Sequence, residues 1–177
     1  MKPVARNIEI KARVSDLGAM ELRARALADQ GPFDLLQDDT FFVCPNGRLK
    51  LRELAPDRGE LIFYRRADVP GPKLSLYTLA ATPTPALTRA ALGDALGVIG
   101  RVRKRRRLYL AGPTRIHLDE VEGLGSYLEL EVVLTDSQPG SEGEAVAHRL
   151  LAQLGVDPAS LVTGAYLDLL QGREGLP

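Results

Sequence analysis

The sequence of 177 residues has little of what cross-links small proteins or binds transition metals. It holds one cysteine, two histidines and no tryptophan. A single cysteine excludes an internal disulfide framework and a cysteine-based zinc site. No stretch approaches the roughly 18 consecutive apolar residues of a membrane-spanning helix, and the first residues lack the apolar block of a signal peptide. We therefore expect a cytoplasmic protein without a membrane partner.

Charge of neither sign predominates, because 23 basic and 23 acidic residues balance. The two signs are nevertheless segregated along the chain. Six of the seven residues from Arg101 to Arg107 are basic, whereas Asp119 to Glu131 holds five acids and no base. The length and the 45% of hydrophobic residues suit a single globular domain over residues 1–177. Most bases are arginines, which bind phosphate or carboxylate oxygens in pairs, so the sequence indicates an anionic ligand.

Alternating polar and apolar residues predict about eight strands, and longer amphipathic segments predict four helices. The predicted strands cover residues 7–14, 39–44, 47–54, 60–67, 73–81, 99–110, 114–121 and 127–135. The predicted helices cover residues 16–30, 85–97, 141–154 and 158–170. Short links between consecutive strands favour antiparallel pairing. The fold class predicted from this order is α+β.

The polar faces of six predicted strands carry charged or polar residues spaced by two, which places each set on one face of its strand. The sets are Glu9, Lys11 and Arg13; Lys50 and Arg52; Lys73, Ser75 and Tyr77; Lys104 and Arg106; His117 and Asp119; Glu129 and Glu131. These faces are either the solvated side of an open sheet or the lining of a closed one. Enclosed charges need partners or a ligand. A polyphosphate carrying divalent metal ions satisfies both signs of charge.

Several short stretches, in their order along the chain, resemble the signatures of the CYTH superfamily, the triphosphate tunnel metalloenzymes. The stretches are NIEIK (7–11), QDDTFF (37–42), LKLR (49–52), LIFYR (61–65), VRKRR (102–106), DEVEGLG (119–125) and YLELE (127–131). The first is similar to the family's E-x-E-x-K pattern. The last two are similar to its D-x-V-x-x-L-G-x-x-x-E-x-E pattern. The resemblance extends over about residues 4–170.

This resemblance implies a closed eight-stranded antiparallel β-barrel, a tunnel with flanking helices, that binds a triphosphate together with Mg²⁺ or Mn²⁺. The implied metal ligands are Glu9, Asp119, Glu129 and Glu131. The implied substrate-binding residues are Lys11, Lys50, Arg52, Arg65, Lys73, Lys104 and Arg106, and Lys11 is the candidate catalytic residue. The chain departs from the pattern at Asn7, where the family has a glutamate. One negative charge is thereby lost, so the number or affinity of metal ions is open.

Two reactions fit such a tunnel. Attack of water on the terminal phosphorus makes a triphosphatase, and attack of a ribose 3′-hydroxyl on the α-phosphorus makes an adenylyl cyclase. The stretches GPKLSLY (71–77) and YLDLL (166–170) resemble the class IV adenylyl cyclase branch, which favours conversion of ATP to cyclic AMP and pyrophosphate. A non-catalytic module that binds polyphosphate or nucleotide is the alternative of another class, and Asn7 is its best support.

The basic run at 101–107 is also typical of a nucleic-acid-binding patch. On a strand, however, Lys104 and Arg106 point one way and Arg103, Arg105 and Arg107 point the other. No aromatic stacking platform flanks the run, so we expect no nucleic-acid partner. His117 shares a face with Asp119, where either a structural role or an acid–base role is open. The sequence leaves both a monomer and a homodimer open.

Overall fold

The structure, a computed structural model, describes residues 4–172. Its strands are β1 (Ala5–Arg13), β2 (Gln30–Phe42), β3 (Arg48–Ala55), β4 (Arg58–Arg66), β5 (Lys73–Thr82), β6 (Val98–Ala111), β7 (Thr114–Val121), β8 (Gly125–Leu134) and β9 (Leu161–Val162). Its helices are α1 (Leu17–Leu27), α2 (Pro85–Leu96), α3 (Gly140–Gln153) and α4 (Tyr166–Leu170). None of the helices in these residues is long and apolar enough to cross a membrane.

Eight of the strands close into an antiparallel barrel, which confirms the predicted fold class. The order around the sheet is β5-β4-β3-β2-β6-β7-β8-β1, and β1 pairs back with β5. The closing pair joins Ala5 to Tyr77 and Glu9 to Lys73. Beyond Glu9 the same edge of β1 is taken by the short β9, where Lys11 pairs with Val162. Every edge of β1 is therefore occupied, and the sheet has an inside and an outside.

The outer face of the barrel packs against α1 and α3. Apolar residues of β1, β7 and β8, among them Ile8, Ile116 and Leu130, are fully buried beneath these helices. Gly143 of α3 allows the closest approach, since a Cβ at this position would lie 2.7 Å from Ile8 Cγ1. The alternation that buries Ile8 and Ile10 under α3 necessarily turns Glu9 and Lys11 towards the inside of the barrel.

A second apolar cluster lies inside one end of the barrel and closes it. Phe41, Val102, Val121 and Tyr127 contribute from the strands, and Tyr166, Leu167 and Leu169 contribute from α4 and its start. Tyr127 and Tyr166 meet edge to face, with ring centroids 5.1 Å apart. Gly100 of β6 makes room for α4, because a Cβ there would lie 2.4 Å from Leu167 Cδ1. The barrel is therefore plugged at this end.

The helix predicted over 158–170 is wrong in part. Residues 158–160 form a single 3₁₀ turn capped by Asp157, residues 161–162 form β9, and only Tyr166–Leu170 is helical. The open backbone edge of β1 at Lys11 and Ala12 recruits β9 as a strand, and this long-range pairing overrides local helix propensity. The helix predicted over 16–30 ends at Leu27, because the amide of Asp29 already donates to Leu110 O next to β2.

Candidate functional site

The interior of the barrel is a cavity of about 330 Å³, at the lower end of the range for small-molecule sites, roughly 300–1,000 Å³. Its lining carries seven basic and five acidic side chains. These are Lys11, Lys50, Arg52, Arg66, Lys104, Arg106 and Arg115, with Glu9, Asp39, Glu60, Glu129 and Glu131. The strands deliver them by alternation, since each set occupies every second position. The charged lining that the sequence predicted is thus present inside a closed sheet.

Asp39 of β2 gathers the two cations of β3. Lys50 Nζ donates to Asp39 Oδ2 at 2.7 Å, and Arg52 donates to both carboxylate oxygens at 2.8 Å. Burial alone raises the pKa of Asp39, but the nearby Arg52 and Lys50 outweigh it and hold this pKa far below its usual value. Asp39 is therefore an anion at any physiological pH, and it keeps Lys50 and Arg52 side by side in the cavity. The sequence indicated no role for it.

Asp119 of β7 plays the same part for the cations of β6. Its carboxylate accepts from Lys104 at 3.0 Å and from Arg106 at 2.6 Å, and the Tyr166 hydroxyl donates to it at 2.8 Å. Burial raises the pKa of Asp119, but Arg106 and Lys104 outweigh it and keep the carboxyl ionised. Its side chain is 0% exposed. This residue therefore has its oxygens occupied by three donors and lies beneath the cavity surface.

Lys104 is a buried cation whose pKa lies well below its usual value. Removal from water, and then the neighbouring Arg106, lower its pKa to about 7, although Asp119 and Glu129 act in the opposite direction. Its Nζ also lies 4.9 Å from the centre of the Tyr166 ring. A lysine in this state is half protonated near neutral pH and gains its proton when an anion binds beside it.

Lys11 of β1 is buried between an acid and an aromatic ring. Its Nζ lies 3.2 Å from Glu129 Oε2 and 4.1 Å from the centre of the Tyr166 ring. Glu129 also accepts from Arg106 at 3.2 Å. Burial raises the pKa of Glu129, but Lys11 and Arg106 outweigh it and hold this pKa well below the usual range. The candidate catalytic lysine is thus fixed at the cavity wall by the apolar plug and by Glu129.

Arg65 does not lie where the family resemblance implies. Its side chain is exposed and lies 6.0 Å from the Phe63 ring on the outside of the barrel. The next residue, Arg66, lines the cavity instead and forms an ion pair with Glu9. The pairing of Arg48 with Tyr64 places even-numbered residues of β4 inside. Two adjacent arginines always point to opposite faces of a strand, and the sequence offers no way to choose without this register.

Lys73 and Glu131 differ in whether they face the cavity. Lys73 is buried, and its Nζ donates to the backbone oxygens of Val69 and Thr163 rather than facing the open cavity. Burial, and then Arg66, lower its pKa to about 8. Glu131 lines the cavity and accepts from Arg115 at 3.1 Å. Lys73 therefore supports the loop before β5, whereas Glu131 is available to a ligand.

Four buried polar atoms of residues that line the cavity have no hydrogen-bond partner among residues 4–172. They are Asn7 Oδ1, Gln37 Oε1, Arg66 Nε and His117 Nδ1. His117 presents this nitrogen to Glu129 and Glu131, and the three side chains have ligand atoms within 4.8 Å of one another. Carboxylate oxygens are the usual ligands of Mg²⁺ and Mn²⁺, and imidazole suits transition ions. The residues present therefore fit a divalent metal ion in this part of the cavity.

Three outward-facing arginines of β6 form ion pairs on the surface. Arg101 and Arg103 both donate to Asp38, and Arg107 pairs with Asp34 and Glu21. The basic run at 101–107 is thus divided between the cavity and surface ion pairs with neighbouring strands and α1.

Comparison with known proteins identifies the family of this closed, charge-lined barrel. A family model of the CYTH domain matches residues 5–166. The chain belongs to the CYTH domain family. A relative, adenylate cyclase CyaB of Aeromonas hydrophila, is 28% identical over an alignment of 177 positions that covers 93% of this chain and 88% of that protein.

Solved structures carry the same fold. A protein from Pyrococcus furiosus superposes with a TM-score of 0.82 at 18% identity, covering 92% of this chain and 99% of that one. A protein from Pyrococcus horikoshii OT3 superposes with a TM-score of 0.76 at 24% identity, covering 93% and 99%. At these identities the likeness concerns the fold alone. The resemblance to the CYTH superfamily that the sequence motifs carry is confirmed.

Proposed function

We propose that this CYTH protein is a divalent-metal-dependent enzyme that acts on a triphosphate inside the barrel, and that it converts ATP to cyclic AMP and pyrophosphate. The observation that carries the proposal is the cavity itself, where lysines and arginines from β1, β3, β4 and β6 face carboxylates of β1 and β8. A polyphosphate holding a divalent cation complements both sets. The likeness to adenylate cyclase CyaB supports the choice of ATP.

The basic residues have the phosphate-binding role in this proposal. Lys50, Arg52, Lys104 and Arg106 are held in pairs by Asp39 and Asp119, so their donors are preorganised for oxygens of one extended anion. Arg66, which β4 turns inward, takes the place that the family resemblance gave to Arg65. Phosphate oxygens replace part of the carboxylate contacts when the anion enters. Asp39 and Asp119 then orient the cations and limit the positive charge of the free cavity.

The acids of β1 and β8 have the metal-binding role. We propose Glu129 and Glu131 as ligands, with Glu9 beside them on the neighbouring strand, where it pairs with Glu131 in register. When bound, a divalent ion neutralises charge on the phosphates and polarises the reacting phosphorus. Asp119 is the exception among the acids that the resemblance implies, since two cations and a tyrosine hydroxyl already occupy its oxygens.

Apolar and aromatic residues of the cavity lining favour a nucleotide over inorganic triphosphate. The lining includes Leu35, Tyr77, Leu79 and Leu108, and Leu79 is 46% exposed. These side chains offer an apolar and aromatic surface to an adenosine, while the phosphates reach inward to the cations. In the reaction, the 3′-oxygen bonds to the α-phosphorus, the bond to the bridging α–β oxygen breaks, and pyrophosphate and a proton are released.

Lys11 is the residue that we propose to act on the reacting groups. Its ammonium group projects into the cavity between Glu129 and Tyr166. Charge that develops on the phosphoryl oxygens is stabilised by a fixed cation in a site with little water. Because Tyr166 and Glu129 hold the lysine on two sides, this stabilisation needs little reorganisation.

The test is a product assay with purified protein, ATP, and Mg²⁺ or Mn²⁺, followed by chromatography of nucleotides and phosphates. Cyclic AMP with pyrophosphate supports the proposal. Free phosphate from ATP or tripolyphosphate supports a triphosphatase instead, and binding without turnover supports a binding module. Lys11→Ala and Glu129→Ala are expected to lose at least about 100-fold in kcat/KM. Arg65→Ala and Glu144→Ala, both on the outer surface, serve as matched controls.

A further inference from the structure

His117 is buried in the cavity wall, and its Nδ1 faces two carboxylates. Its side chain is 5% exposed, and Nδ1 has no hydrogen-bond partner of ordinary geometry within residues 4–172. The nitrogen lies 3.5 Å from Glu129 Oε1 and 3.9 Å from Glu131 Oε1. A buried polar atom without a partner costs free energy. A cation placed between Nδ1 and the two carboxylates satisfies this atom.

Two of the three distances between the ligand atoms are short enough for a coordination shell, and all three atoms lie within 4.8 Å of one another. Two atoms that are each about 2.1 Å from one ion cannot lie more than about 4.2 Å apart. Both distances from Nδ1 to the carboxylates meet this limit. Glu129 and Glu131 share one face of β8, and His117 is the register partner of Glu129 on β7. The three side chains are thus held by two paired strands rather than by loops.

Asp119 does not have this geometry, although it belongs to the acids that the sequence motifs single out. Its carboxylate accepts from Lys104, Arg106 and Tyr166, and none of its surface reaches solvent. An ion at Asp119 has to displace three donors from that side chain, whereas an ion at His117 displaces none from Nδ1 of the imidazole. The imidazole is the better candidate on β7.

We propose that His117 binds the divalent metal directly through Nδ1, together with Glu129 and Glu131, and that Asp119 is not a ligand. The inference rests on the proposed function in that both need a metal ion in the tunnel. It adds a nitrogen ligand to an otherwise oxygen-lined site. Mg²⁺ prefers oxygen, and sites with imidazole bind first-row transition ions more tightly. The site therefore selects Mn²⁺ or Co²⁺ over Mg²⁺.

The cations around this site couple the metal to the phosphate. In the absence of ligands, Glu129 is held by Lys11 and Arg106, and Glu131 is held by Arg115. When phosphate oxygens bind Lys11 and Arg106, these cations leave Glu129, which can then bind the metal. Tripolyphosphate is therefore expected to tighten the binding of Mn²⁺.

The test is Mn²⁺ binding to the purified protein, followed by electron spin echo spectroscopy, which detects ¹⁴N coupling from an imidazole bound to the ion. The wild type is expected to show nitrogen modulation. His117→Ala should lose it and weaken Mn²⁺ binding at least tenfold, with a much smaller effect on Mg²⁺ binding. His148→Ala, a substitution of the exposed histidine on α3, should keep both, and Asp119→Asn should keep the nitrogen modulation. Circular dichroism and a His117→Asn variant exclude loss of folding as the cause.

Bound Mn²⁺ without nitrogen modulation in the wild type overturns the inference, and so does modulation that survives in His117→Ala. Failure of Mn²⁺ to bind also overturns it. The result is independent of turnover. Nitrogen modulation with no product from ATP keeps the metal site and rejects the proposed reaction. Product formation without nitrogen modulation keeps the reaction and rejects His117 as a ligand.

Discussion

At the scale of single residues, the buried lysine Lys104 links pH to ligand binding. Burial and the neighbouring Arg106 lower its pKa from 10.5 to about 7, so much of it is neutral above that value in the free protein. A bound triphosphate favours the charged form. Binding above pH 7 must therefore take up a proton, and affinity decreases as the pH rises.

For tripolyphosphate, the affinity of the wild type should decrease by up to about tenfold per pH unit above pH 7. Lys104→Arg keeps its charge throughout this range, so its affinity should decrease less. Titration calorimetry of both proteins from pH 6.5 to 9 measures the affinity for tripolyphosphate. Because the ligand titrates in the same way with both proteins, its contribution cancels when the two pH profiles are compared. Parallel pH profiles would show that Lys104 does not titrate in the site.

The adjacent arginines Arg65 and Arg66 provide a matched pair. Arg66 lines the cavity beside Glu9, and Arg65 is exposed outside. Arg66→Ala is expected to weaken tripolyphosphate binding at least tenfold, because a charge-assisted contact is lost. Arg65→Ala should stay within about twofold. The reverse order of effects in the same calorimetric titration contradicts the register of β4.

At the scale of elements, alternation along the strands predicted most of the site, because apolar residues under α1 and α3 determine which face is inside. Burial of Ile8 and Ile10 on the outer face turns Glu9 and Lys11 towards the cavity. Burial of Leu128 and Leu130 does the same for Glu129 and Glu131. The rule fails where adjacent residues have the same charge, as at Arg65 and Arg66, since only the pairing of β3 with β4 decides between them.

The short segments after α3 were not predictable from local signals. Residues 158–170 have the composition of one helix, but β1 recruits Leu161 and Val162 as a strand, and α4 begins only at Tyr166. The resulting plug brings the Tyr166 hydroxyl to Asp119 and its ring to Lys11. These contacts join residues far apart in the chain, so periodicity carries no information about them.

The plug formed by α4 should contribute measurably to stability. Leu167 is 3% exposed and packs in the apolar cluster at the closed end, whereas Leu170, three residues on, is 38% exposed. Leu167→Ala is expected to lower the free energy of unfolding by about 2–4 kcal/mol, because a buried side chain leaves a cavity. Leu170→Ala should lower it by less than about 1 kcal/mol. Urea denaturation of both variants measures the difference, and equal losses would contradict a packed plug.

At the scale of the whole molecule, a chain of zero net charge concentrates opposite charges on one inner surface. Register partners on consecutive strands, such as Asp39 with Arg52 and Asp119 with Arg106, form ion pairs there. Asp39 and Arg66 belong to this network, but the sequence indicated neither, because the Asp39 pair depends on the register of β2 with β3 and the pair of Arg66 with Glu9 depends on closure of the barrel. Enclosed ion pairs of this kind are costly for stability alone, which is consistent with retention for ligand binding.

The central claim is that the inner face of the barrel, and not its surface, holds the triphosphate. Strand β6 tests it directly, because Lys104 faces the cavity and its neighbour Arg105 is exposed on the outside. The measurement is calorimetric titration of tripolyphosphate into Lys104→Gln and Arg105→Gln at pH 6.5, with circular dichroism as a check of folding. The account predicts a loss of at least tenfold in affinity for Lys104→Gln and wild-type affinity for Arg105→Gln. A loss confined to Arg105→Gln would contradict it.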